Sequence, residues 1–295
     1  MLQKEKLYSY LDATDGALSV HQDGASYHWA FRDSYLYLFR TKVAFFCLGI
    51  EYEDVLALQA ICSPGFAVNT AEFFCDREQR KFSLNEMLGD FLKQFQLEQF
   101  FDNSSLLLDY YSYNLALLPE RFDTLDEMKK LSFNLHQMIP LDFDMDDHSE
   151  QDVHYVFAVR DCTHNSYRWG CCVTSQTISY VVADSQMDFD SEWAAQSEDG
   201  LPVVILSLYQ KYTCLRFNQL IADTTNKKSA KTLKALKRLM LNFKAFGTVA
   251  PANLSRWDNV RRIYFYLMDV NGVSQALTDI VDKLNILTSQ QEALE

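Results

Sequence analysis

Near the carboxy end, Val273, Leu277, Ile280, Leu284, Leu287 and Leu294 recur at alternating steps of four and three, with Gln291 filling the remaining position of the series. This is a 3.5-residue repeat, the period of a helix that lays a narrow seam against another helix; a lone surface helix carries a wider stripe. At 1.5 Å per residue, residues 272–295 form a helix roughly 36 Å long. A docked core helix produces the same spacing over three heptads. The expectation is an oligomerisation seam made of the six apolar residues, and hence a homo-oligomer.

The helical pattern extends upstream from that seam. Pro202 suits the first turn of a helix, and residues 203–221 are long and apolar enough to be buried. A basic amphipathic helix is expected over 229–246, with Leu233, Leu236, Met240 and Phe243 on its apolar face and lysines opposite. Ser255 is placed to cap a helix running to Val270, and Asn271-Gly272 ends it.

The first two-thirds read differently. Residues 27–32, 34–40 and 42–52 are rich in aromatic and β-branched side chains, with Asp23-Gly24 marking a turn before them. Residues 73–75 and 81–82 are short strand material. Ser83-Leu-Asn-Glu86 fits a capping box before a helix carrying Leu84, Met87, Leu88, Phe91, Leu92 and Phe95. Residues 106–113 suit strand or helix, 125–138 suit helix, and 153–160, 167–174 and 178–184 suit strands. The acidic stretches 141–154 and 184–199 are expected as loops. The chain is therefore expected to be α/β (α+β), with a mixed or antiparallel sheet and flanking helices over 1–200. A helical part follows over 201–295, ending in a long stalk-like helix.

Composition excludes some functions. The 295 residues carry a formal charge of −13, which repels a phosphate backbone and disfavours general nucleic-acid binding. Between Lys227 and Arg256, however, there are eight Lys/Arg and no acid. That block is the solvated face of a helix or a surface for anionic lipid or an acidic neighbour. Nine glycines leave few places for close phosphate approach, and neither GxGxxG nor GxxxxGK[ST] occurs. The seven cysteines are odd in number and form no CxxC, so they are expected as reduced, buried, small hydrophobes in a cytoplasmic setting. No run of eighteen apolar residues occurs, so any membrane segment would lie beyond Glu295.

Two clusters are candidate ligand sites. Asp142, Asp144, Asp146 and His148 alternate along one stretch, and alternate acids on a loop converge on a hard ion, so a divalent cation is the cofactor they would hold. They lack the glycine and distal glutamate of an EF-hand, and a solvated acidic linker has the same composition. Arg160, Arg168 and Trp169 lie on adjacent expected strands, where arginine and indole together clamp a base and a phosphate. Structural salt bridges use the same residues. No catalytic residue is expected: GxSxG and HExxH are missing, and Cys171-Cys172 has no glycine elbow beside it.

The sequence Ile205-Leu-Ser-Leu-Tyr-Gln-Lys-Tyr-Thr-Cys-Leu-Arg-Phe217, followed by Asn253-Leu-Ser255, Ile263-Tyr-Phe-Tyr-Leu267 and the repeat from Val273 to Leu294, resembles the cytoplasmic region of the CorA-like family of magnesium-transporter-related membrane proteins. The resemblance covers roughly the last hundred residues, as a pattern of apolar positions. It implies a non-enzymatic, ligand- or ion-sensing, oligomerising region on the cytoplasmic side of a membrane. The family's Gly-Met-Asn signature belongs to a membrane span and does not occur here, so no transport residue carries over. Two alternatives stay open: a stand-alone cytosolic interaction protein that self-associates through its last helix, and a nucleotide-sensing or nucleotide-acting protein.

Overall fold

The computed structural model describes residues 18–22, 25–39, 41, 43–51, 72–75, 80–83, 111–118, 122–128, 154–161, 166–175, 177–184, 187–227, 230–247 and 255–292. They belong to an α+β chain with two small sheets and a long helical C-terminal part. The chain forms two compact units. The first draws on residues within 1–37 and 45–112, the second on residues within 38–44, 113–133 and 145–295. The second sheet groups with the helices in the second unit.

The first unit is built on a five-stranded sheet of β1 (Leu18–Gln22), β2 (Ala25–Leu38), β3 (Ala44–Glu51), β4 (Glu72–Cys75) and β5 (Arg80–Ser83), in the order β3-β2-β1-β4-β5. β1 pairs antiparallel with β2 and closes Gln22 on Ala25, so only Asp23-Gly24 separates the two strands. The two strands expected over 27–32 and 34–40 are one continuous strand that runs through Asp33. Arg32 Nε lies 2.5 Å from Glu51 Oε2, tying β2 to β3.

The second unit starts from a four-stranded sheet of β6 (Ser112–Leu118), β7 (His154–Asp161), β8 (Ser166–Val173) and β9 (Thr177–Ala183), ordered β6-β9-β8-β7. β7 pairs antiparallel with β8, and β8 with β9. Every residue of β9 is buried. Its run Ile178-Ser-Tyr-Val-Val-Ala183 shows no polar alternation, as befits a strand covered on both faces.

The acidic stretch 184–199, expected as a loop, contains helix α1 (Phe189–Ala195) and a π-helical turn, Gln196–Gly200. The physical reason is its cap. Asp188 Oδ2 accepts from Ser191 N at 3.0 Å, and Asp190 and Glu192 sit in the first turn, where the helix dipole favours negative charge. Phe189 and Trp193, one turn apart, bring their ring centroids to 6.0 Å.

The chain continues directly into α2 (Leu201–Lys227), followed by α3 (Ala230–Phe246), α4 (Asp258–Val270) and α5 (Val273–Glu292). α2 is central: it packs against α3, α4 and α5 and buries residues on all sides, from Val203 to Ile221. α4 lies against β7 and β8. α3 docks through Leu233, Leu236, Met240 and Phe243, the face its spacing predicts, with the Phe243 ring near those of Tyr209 and Phe217. The cap of α4 is Trp257 rather than Ser255, whose Oγ instead accepts from Trp257 N at 3.1 Å. Gly272, at φ +57°, makes the left-handed step between α4 and α5.

This packing places part of the expected oligomerisation seam against helices of its own chain. Val273, Ile280 and Leu284 are buried, and α5 lies against α2, α3 and α4 of its own chain. Leu277 and Leu287 flank them, half-buried, and Leu294 lies outside the described residues. The stripe does need a helix to cover it, and this chain's own helices supply that cover. The repeat in sevens therefore carries no argument for a second chain.

Candidate interaction surface

Asp142, Asp144, Asp146 and His148 lie outside the described residues. Among the described residues no group of three His, Cys, Asp or Glu side chains is placed to hold a metal ion, and no helix is long and apolar enough to cross a membrane. The second candidate cluster lies at one end of the β7–β8 pair, where the register places Val159 opposite Trp169 and then, after a shift, Arg160 opposite Tyr167. The guanidinium of Arg168 pairs with the buried carboxylate of Asp184, just past β9, and its carbon lies 5.7 Å from the Trp169 ring centroid. An arginine committed to a buried carboxylate holds the sheet's end in place.

A hub of polar side chains joins the second sheet to the helices. The Tyr113 hydroxyl on β6 donates to Gln196 Oε1 in the π turn, and Gln196 Nε2 donates to buried Glu192 Oε1 at 2.7 Å. Gln196 and Asn259 of α4 also hydrogen-bond Tyr180 on β9. Burial first, then the Glu192 charge, raise the Tyr180 pKa above its ordinary value, so its hydroxyl stays protonated. The hub explains Gly200: a Cβ there would come within 2.6 Å of the Tyr113 hydroxyl and 2.7 Å of Gln196 Oε1. Deeper in, Gln210 Nε2 of α2 donates to the Tyr264 hydroxyl of α4 at 2.8 Å.

Among the described residues, the Cys171, Cys172 and Cys214 thiols are buried in the core. Burial pushes the Cys214 thiol up to about 12, and it raises those of Cys171 and Cys172 as well. A nucleophilic cysteine needs the opposite shift, toward thiolate at neutral pH. These thiols act as the small core hydrophobes their composition suggested.

Among the described residues, α3 presents an exposed aliphatic side chain in a basic surround. With Leu233, Leu236, Met240 and Phe243 turned inward, Leu241 is left 52% exposed. Residues three, four and seven apart share a helix face. The residues at −7, −4, −3 and +3 from Leu241 are Lys234, Lys237, Arg238 and Lys244, all basic. Among the described residues no ion pair engages Lys234, Lys237 or Arg238. The signal was present in the sequence as the acid-free block 227–256. The position of the leucine inside it becomes meaningful only once the buried face is known.

No protein-family profile, no curated protein and no solved structure matches this chain. The residues that carry the CorA-like resemblance include Ile205, Leu208, Phe217, Ile263, Leu267, Ile280 and Leu284, all buried core positions of α2, α4 and α5. Their spacing is what any helix packed on several neighbours requires.

Proposed function

We propose that this chain is a non-enzymatic binding module that engages an acidic partner through the outward face of α3. The supporting observation is Leu241, an exposed aliphatic side chain among four cations in a chain whose net charge is −13. An exposed apolar anchor within a charged rim is the anatomy of a protein interface: the anchor supplies affinity, and the rim supplies orientation and encounter rate. The helix beneath is fixed by four buried side chains, so little order is lost on binding. The partner matching this face has carboxylates around an aliphatic side chain.

The test uses a fluorescent helical peptide of glutamate and leucine, with its leucines on one face, titrated with the protein at physiological salt. The expected result is saturable binding that the double variant Lys234→Glu/Arg238→Glu weakens by at least ~10-fold, equivalent to about 1.4 kcal/mol. Equal binding by both proteins, or by neither, contradicts the proposal.

A further inference from the structure

Resting on that reading, we infer that the acidic partner is a second copy of this chain, which docks the outward face of its α5 on α3. α5 carries the complementary motif. Its buried stripe leaves Ile286 58% exposed, the most exposed of the large hydrophobic residues described. The residues at −7 and −4 from Ile286 are Asp279 and Asp282, both exposed. Thus α3 presents an aliphatic side chain among cations, and α5 presents one among carboxylates. Lys283, the cation nearest in sequence, is held aside by Asn218 Oδ1, to which its Nζ donates at 3.1 Å. Asp279 Oδ1 accepts only from the neutral Gln275 amide, at 2.8 Å, among the described contacts.

Within one chain the two motifs cannot meet, because α3 and α5 pack side by side with both faces outward. Between two chains they can. A two-fold axis passing between α3 and α5 sets each copy's α3 on the other's α5, so the contact is made twice and the assembly closes as a dimer. Each helix is ~25–30 Å long, and neighbouring axes lie ~10 Å apart. The shared patch is thus at the small end of specific interfaces, and the dimer is a dissociable one. Two chains of −13 repel at long range, while the α3–α5 attraction acts at contact. Salt therefore weakens both effects, and charge exchange is the cleaner probe.

The experiment is sedimentation equilibrium of the full chain at micromolar concentration, with three variants. Lys234→Glu/Arg238→Glu reverses α3, Asp279→Lys/Asp282→Lys reverses α5, and the third carries all four changes. The wild type is expected to dimerise. Each double variant alone is expected to be monomeric, with dissociation constant raised at least ~10-fold. Mixing the two double variants restores the dimer, as does the fourfold variant, which also shows that the substituted chains fold. A wild-type dimer unmoved by either reversal overturns the inference. A wild-type monomer that still binds the glutamate–leucine peptide through α3 overturns it too, but leaves the acidic-partner reading standing. A monomer that binds no peptide overturns both.

Discussion

Helices α3 and α5 are neighbours built to one plan, with different outward faces. Each lays an apolar stripe on the shared central helix α2: Leu233, Leu236, Met240 and Phe243 from α3, and Val273, Ile280 and Leu284 from α5. Their outer surfaces have opposite charge, Lys234, Lys237, Arg238 and Lys244 on one and Asp279 and Asp282 on the other. The lesson is a division of labour along a helix. The stripe says only that the helix is covered, and α5 shows that a perfect heptad is met as well by a helix of the same chain. What a helix offers to other molecules is written on the residues left over when the stripe is satisfied.

The comparison can be broken first at the stripe of α3. Phe243→Ala removes a buried ring that lies 5.5 Å from Tyr209 and 5.8 Å from Phe217, centroid to centroid. Truncations of this kind cost about 3–5 kcal/mol, so denaturant unfolding should shift by that amount, with α3 losing its seat on α2. A smaller effect sharpens the account of α5. Gly272 has φ +57°, and a Cβ built there meets nothing within 4 Å, so Gly272→Ala adds backbone strain alone. Its expected cost is about 1 kcal/mol, read as a modest drop in melting temperature. A larger loss would mean that the α4–α5 step is packed more tightly than it is here.

The elements that were legible in the sequence are those whose signal is local and periodic. The buried face of α3 and the three strands around Arg160, Trp169 and Tyr180 follow from spacing. α1 was hidden because its acids resemble a loop, although Asp188, Asp190 and Glu192 are a capping residue and first-turn acids in the right order. The hub was not legible, since Tyr113, Tyr180, Gln196 and Asn259 are separated by tens of residues and no periodicity links them. Nor does a heptad state which helix covers it. The basic face was visible as a block of charge, and the expected apolar face of α3 already left Leu241 outside it; the degree of its exposure is what the structure adds.

Ile280 and Ile286 put the account to its most direct test, because they are the same residue on the same helix, one fully buried and the other 58% exposed. The measurement is urea unfolding of Ile280→Ala and Ile286→Ala, at a concentration low enough for the protein to be monomeric. The account predicts a loss of about 2–5 kcal/mol for Ile280→Ala and a change within about 0.5 kcal/mol for Ile286→Ala. Equal losses, or a monomer that tolerates Ile280→Ala without change, would contradict it and return the stripe of α5 to the surface.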